Sequence, residues 1–144
     1  MAIWFKEFSY EDLNRRGKNT LSDFLGIEFT EVGEDTLTAT MPVNERTKQP
    51  IGILHGGANV VLAETIASTA ANAVIDLDSY YCVGLEINAN HIRAVKDGVV
   101  KAVTRPVHIG RTTQVWHVDI YNEAGKLTCV SRMTASVLSR SIRT

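Results

Sequence analysis

The sequence predicts an α+β fold in which a strongly curved antiparallel β-sheet wraps one long central α-helix. Three observations predict it. From Gly56 to Ile75 the chain is almost wholly apolar or small and carries one charge, Glu64. A pair of β-branched, alternating runs precedes this stretch, and four long extended runs follow it. A helix apolar nearly all round must be covered on most sides, and a curved antiparallel sheet is the economical cover.

Taken in order, Ser9 followed by Asp12 resembles a helix-start box, and Tyr10 to Arg16 ending at Gly17 makes a short amphipathic helix. Thr20 to Leu25 adds a further turn before Gly26. Ile27 to Val32 and Thr36 to Met41, parted by Gly33-Glu34-Asp35, read as a hairpin that Pro42 ends. Val43 to Pro50 is a polar loop that delivers the chain to the central helix, a position suited to a site wall. The extended runs are Tyr80 to Arg93, Val99 to Val107, Thr113 to Tyr121 and Lys126 to Leu138, with turns at Asp97-Gly98 and Asn122 to Gly125. Alternation places Trp116, Val118 and Ile120 on one face, with Gln114, His117, Asp119 and Tyr121 opposite or beside them. Leu127, Cys129, Met133, Ala135 and Val137 share a side of the last run.

At 144 residues the chain is read as one domain, 1–144, with no repeat or linker. A net charge of −1 gives no support for nucleic-acid binding or a polybasic membrane contact. The polar residues Asn59, Thr65, Ser68, Thr69 and Asn72 punctuate the apolar stretch and argue for a buried helix over a membrane span. Met1 to Phe8 lacks the apolar core of a signal peptide, and Cys82 and Cys129 form no CxxC, so a cytoplasmic protein with reduced thiols is expected. The four histidines, His55, His91, His108 and His117, form no metal-binding pattern, and no metal is expected.

The chemistry concentrates at the central helix. Its start, Gly56-Gly57, offers unpaired N–H groups, a favourable dipole and no side chains, which suits an oxyanion; the same pair also suits a tight turn. Glu64 is a carboxylate in apolar surroundings, fit to act as general base toward water or as nucleophile toward an acyl group, unless an Arg or Lys pairs with it. Ser68, at i+4, shares its face and can hold the carboxylate or a water, or bond back to the helix backbone. Gln49 and His55 flank the helix start, where either can donate to a carbonyl oxygen; a helix cap is the other use of His55. His91 and Arg93, two apart on an extended segment, suit phosphate or carboxylate binding, as an exposed strand edge would also read. His108-Ile109-Gly110-Arg111 makes a second basic turn, which an ordinary loop would resemble.

Gly56 and Glu64 stand about 12 Å apart along a helix. A single acyl carbonyl needs both its oxygen donor and its attacking group at about 3 Å. One helix can hardly supply both, so two antiparallel helices from two subunits are expected to share each site in an obligate symmetric dimer.

The residues Ala39-Thr40-Met41-Pro42-Val43, Arg46-Thr47-Lys48-Gln49-Pro50, Leu54-His55-Gly56-Gly57, Leu62-Ala63-Glu64-Thr65, Val83 to His91 and Gln114-Val115-Trp116 make the sequence resemble hotdog-fold acyl-CoA thioesterases of the phenylacetate-degradation type. Within them it is most similar to the branch that hydrolyses 1,4-dihydroxy-2-naphthoyl-CoA in menaquinone biosynthesis. The resemblance spans almost the whole chain. It implies Glu64 as the catalytic carboxylate, with the Gly56 backbone, Gln49 and His55 activating the carbonyl and Ser68 positioning water or substrate. It further implies that Asn90, His91, Ile92 and Arg93, with Val107, His108, Ile109, Gly110, Arg111 and Thr112 and with Val83, line the CoA and acyl site across a subunit boundary. A dimer of dimers, an acyl-CoA substrate and no bound cofactor belong to the same implication.

Three positions depart from the branch. Close relatives tend to carry Phe at Ile51 and Gly at Ala67, and Thr69 fills an acyl-pocket position where Val, or Met in a sister branch that edits acylated carrier protein, is expected. Gly84 to Asn88 favours the naphthoyl-CoA side. The rival readings are that carrier-protein proofreading activity and a non-catalytic acyl-CoA-binding protein.

Overall fold

The computed structural model describes residues 1–141. Helix α1 (Tyr10–Arg16) begins on the expected box: Ser9 Oγ accepts from Asp12 N, and the Asp12 carboxylate accepts from Ser9 N. Helix α2 (Leu21–Phe24) is one turn. Strands β1 (Glu28–Val32) and β2 (Leu37–Pro42) form the expected antiparallel hairpin, irregular between Phe29 and Glu31. Helix α3 (Gly56–Ala73) follows the polar loop and stops two residues short of Ile75, with Val74 as its C-cap. Then come β3 (Tyr80–His91), β4 (Val99–Ile109), β5 (Thr113–Tyr121) and β6 (Leu127–Ser139).

All strand pairs are antiparallel, in the order β1-β2-β4-β5-β6-β3. Helix α3 thus carries the chain from the β2 side of the sheet to its far edge, where, among the described residues, β3 pairs only with β6. The sheet packs its concave face on a stripe of Leu62, Ala63, Ile66, Ala67, Ala70 and Ala71, all fully buried. Opposite stand Val100, Ala102, Trp116, Val118, Ile120 and Met133. Four alanines in that stripe leave space for the large Trp116, so close packing is reached by pairing small with large.

Two expectations need correction. The sheet covers one side of α3, while Val60, Val61, Glu64, Thr65 and Ser68 stay part-exposed, because their stripe points away from the concave face. Gln114 lies on the core face with Trp116, as its period-two spacing requires, and is fully buried. Its Oε1 accepts from Trp116 Nε1 at 2.8 Å and its Nε2 donates to Ala71 O at 3.3 Å, so a buried amide links β5 to α3. Burial without those partners would be costly.

Both thiols are free and buried, and burial pushes each up to about 11.

Candidate active site

The loop before α3 aims two side chains by using their acceptor atoms locally. Gln49 Oε1 accepts from Ile51 N at 3.0 Å, and Gln49 N donates to Ile53 O at 2.9 Å. His55 is the N-cap of α3: its Nδ1 accepts from Gly57 N at 2.8 Å, which fixes the tautomer with the proton on Nε2. The cap and the donor are therefore compatible uses of His55. Gln49 keeps its Nε2 amide and His55 its Nε2–H for a ligand. The Gly56 N–H has no partner among the described residues, as the first N–H of a helix is left by geometry.

His91, the last residue of β3, closes over this helix start. A Cβ on Gly56 would stand 2.9 Å from His91 Nε2, so the missing side chain makes room for the ring. Asn59, 5% exposed, places its Nδ2 3.4 Å from His91 Nδ1. In the sequence Asn59 reads only as polar punctuation of an apolar helix. Arg93 lies beyond the strand end, so the expected same-face pair of His91 and Arg93 does not form on a strand; Ile92 and Arg93 N–H both turn to Thr128 O.

Glu64 sits two turns further along α3, and its partner is a space. A Cβ built on Gly84 would stand 2.5 Å from Glu64 Oε1. The register of β3 with β6 shifts between Gly84 and Glu86, a bulge that lets the strand bend at the carboxylate. Glu64 makes no ion pair among the described residues, which removes the structural-pair alternative there. A glycine inside a strand run is the sequence signal that marks such a close approach.

Asn72 sets this alignment. Its Oδ1 accepts from Cys82 N at 2.8 Å and its Nδ2 donates to Ser68 O at 2.9 Å and Cys82 O at 3.2 Å, tying β3 to α3 two residues before Gly84. Thr69 Oγ1 bonds back to Thr65 O at 2.7 Å, the backbone use foreseen for Ser68. Ser68 Oγ itself has no partner among the described residues. Thr65, Ser68, Thr69 and Asn72 line a cavity of about 820 Å³ beneath the N-terminal segment.

The binding segments expected from the sequence fall at opposite ends of the sheet. Val83 pairs with Ser136 and Ser136 with Thr113, so Val83 aligns with the end of β4, which holds Val107, His108 and Ile109, and with the turn of Gly110, Arg111 and Thr112 that follows it. Asn90 and His91 pair instead with Val130 and Cys129, about 25 Å along β3 from Val83. One chain therefore brings together Gln49, His55, Gly56 and His91 at one end, and Glu64, Ser68, Thr69 and Val83 further along; it does not unite them. Among the described residues no group of His, Cys, Asp and Glu could hold a metal ion, and no helix is long and apolar enough to cross a membrane.

A curved six-stranded antiparallel sheet on one long helix, with a bare helix start and a carboxylate two turns on, defines a hotdog-fold thioester hydrolase. The pattern of the thioesterase superfamily matches residues 51–129, and the chain belongs to that superfamily. It is 54% identical over 137 residues to a putative esterase of Vibrio cholerae, covering 95% of this chain and 91% of the relative. It is 48% identical over 136 residues to the 1,4-dihydroxy-2-naphthoyl-CoA hydrolase of Escherichia coli (94% and 99% covered) and 46% identical over 136 residues to the proofreading thioesterase EntH of Cronobacter turicensis (94% and 98%). The crystal structure of a Q49A mutant thioesterase from Pseudomonas aeruginosa superposes with a TM-score of 0.94 at 46% identity, over 96% of this chain and 99% of that one. A thioesterase of Haemophilus influenzae gives 0.94 at 48% identity, with 98% of each chain covered.

Proposed function

We propose that this thioesterase hydrolyses an aromatic acyl-CoA, with 1,4-dihydroxy-2-naphthoyl-CoA of menaquinone biosynthesis, the substrate for which one relative at 48% identity is named, as its substrate, and releases the free acid and CoA. The observation that carries the reading is the pairing of an ion-pair-free Glu64, seated against Gly84, with a helix start whose Gly56 N–H is unused. The Gly56 N–H, with Gln49 Nε2 and His55 Nε2 beside it, receives the carbonyl oxygen as negative charge grows on it. Glu64 either attacks the carbonyl carbon, expelling CoA thiolate and leaving a mixed anhydride that water hydrolyses, or takes a proton from water as the water attacks. In both routes the thiolate leaves with the electron pair of the C–S bond and ends as the thiol. Ser68 holds the water or the substrate. No metal or bound cofactor enters either route.

The donor and the carboxylate act on one carbonyl from two subunits. Eight residues of helix separate Gly56 from Glu64, about 12 Å, so a second copy must turn its helix start toward this Glu64. Strand β3 supports that assembly: it is a 12-residue edge whose Val83 and Leu85 are exposed, and such an edge is a template for pairing with another chain. The CoA moiety then spans Asn90 to Arg93 of one subunit and Val83 with Val107 to Thr112 of the other, and the dimers pair into a tetramer. The free buried thiols support a cytoplasmic setting.

The 46% identity to a proofreading thioesterase favours a second reading, in which the acyl group rides on a carrier protein. A panel of aryl and alkyl acyl-CoAs, with the same aryl groups on a carrier protein, separates the two by thiol release. In that panel Glu64→Ala is expected to lower kcat by about 10²–10⁴-fold. Turnover at the wild-type rate would remove Glu64 from the chemistry, and an aryl-CoA that survives long incubation with the protein would indicate binding without catalysis.

A further inference from the structure

Residues 1–50 lie outside the stretch that matches the superfamily pattern, yet they build one wall of a large cavity. The cavity of about 820 Å³ has α3 as its floor, at Thr65, Ser68 and Thr69, and the N-terminal segment as its roof, at Phe8, Leu13 and Gly17. Interiors are otherwise packed to crystal density, so a space of this size between two layers has to be held open. Three anchors hold it. Phe5 N donates to Ala73 O at 2.9 Å, which ties the segment to the end of α3. Trp4 Nε1 donates to Gly33 O at 2.7 Å, fixing it to the β1–β2 turn. Asn14 Nδ2 donates to Phe29 O at 2.9 Å while Asn14 Oδ1 accepts from Phe29 N at 2.8 Å, so α1 is clamped to β1 and stands off α3. The roof is pinned at its ends and along β1, and between these anchors it stands off the helix.

The floor starts at Thr65, the residue after Glu64, and Ser68 follows one turn beyond the carboxylate. Thr69 and Asn72 spend their polar atoms on the backbone, while Ser68 Oγ has no partner among the described residues; the lining mixes apolar side chains such as Phe8, Leu13, Ile27 and Phe29 with charged ones such as Lys6, Arg16 and Glu28. A chamber of this volume falls in the range of small-molecule sites, about 300–1,000 Å³, and is far larger than an acetyl group needs.

We infer that this chamber takes the acyl group, and that Phe8, Leu13 and Gly17 of the N-terminal layer set which acyl groups fit: bulky aryl acyl groups are accepted because the layer stands off the helix. The inference rests on the thioesterase reading for its chemistry, but not for its binding.

Gly17 gives the probe. Its φ of −78° suits any residue, and a Cβ there meets only Asn14 O at 3.6 Å and Leu13 O at 3.8 Å, so a large side chain can be carried without backbone strain. Gly17→Trp fills the chamber and Phe8→Ala enlarges it. The experiment measures kcat/KM for 1-naphthoyl-CoA, a biphenylcarbonyl-CoA and acetyl-CoA, together with calorimetric binding of phenacyl-CoA and acetonyl-CoA, whose sulfur is joined through a methylene and cannot be hydrolysed. Gly17→Trp is expected to lower the naphthoyl-to-acetyl ratio of kcat/KM at least about tenfold, with a parallel loss of phenacyl-CoA binding and unchanged acetonyl-CoA binding. Phe8→Ala is expected to raise the biphenyl-to-acetyl ratio. Ratios unchanged in both folded variants, or a loss equal for large and small groups, would overturn the assignment. If the wild type releases no thiol from any ester yet Gly17→Trp still weakens phenacyl-CoA selectively, the chamber assignment stands and the hydrolytic reading fails.

Discussion

Gly84 and Glu64 share one space: a Cβ on residue 84 would stand 2.5 Å from the Glu64 Oε1 atom. The glycine is thus part of the site through what it lacks. Gly84→Ala is expected to leave folding nearly intact, because the obstructed atom is the far end of a flexible side chain. The carboxylate must shift by about an ångström, a displacement that costs about 10²-fold in kcat. Steady-state kinetics beside a thermal melt checks it: kcat falls while Tm barely moves.

Asn72 positions that contact from a distance. Its three hydrogen bonds to Ser68 O and to both backbone groups of Cys82 hold β3 in register on α3. Asn72→Leu strips Cys82 N–H and C=O of these partners and is expected to cost about 1–3 kcal/mol. Chemical denaturation reads the loss, and kcat should fall alongside it because Gly84 no longer lands on Glu64.

The thiols give a pH dependence whose sign follows from their burial. Cys82 and Cys129 are raised from 9.0 to about 11 in the folded chain. Their contribution to stability is therefore complete below about pH 9 and lost as pH rises through about 11, since the unfolded chain releases the protons first. Denaturation midpoints should fall between pH 9 and pH 11, and a Cys82→Ala, Cys129→Ala variant should show a flatter slope. At pH 8 neither thiol should react with iodoacetamide until the protein unfolds.

Much of this was legible in the sequence because periodicity and punctuation carry it. The N-terminal box, the first hairpin, the start of α3 at Gly56 and the span of β5 from Thr113 to Tyr121 appear where the residues place them. Gln114 was misplaced because a polar residue read as solvent-facing, although its spacing from Trp116 put it on the core face; the hydrogen bond to Trp116 Nε1 reconciles polarity with burial. The contacts of Asn59, Asn72 and Gly84 are not legible in the sequence, for a different reason. Each works by meeting an element distant in the chain, His91, Cys82 and Glu64 respectively, and such meetings depend on how β3 lies across α3. The chamber under the N-terminal layer was invisible for the same cause: no residue pattern encodes a space between two layers.

The central claim is that each active site takes its carboxylate from one chain and its carbonyl donors from the other. Complementation tests it most directly. Glu64→Ala keeps an intact helix start, and the Gln49→Ala, His55→Ala double variant keeps an intact Glu64. Each alone should be nearly inactive. Co-expressed and purified through separate tags on the two chains, they should form mixed dimers in which one of the two sites is native, so the purified mixed dimer should show about half of wild-type kcat. Activity no higher than that of the separate variants, in a preparation shown by mass to contain the mixed dimer, would contradict the shared site.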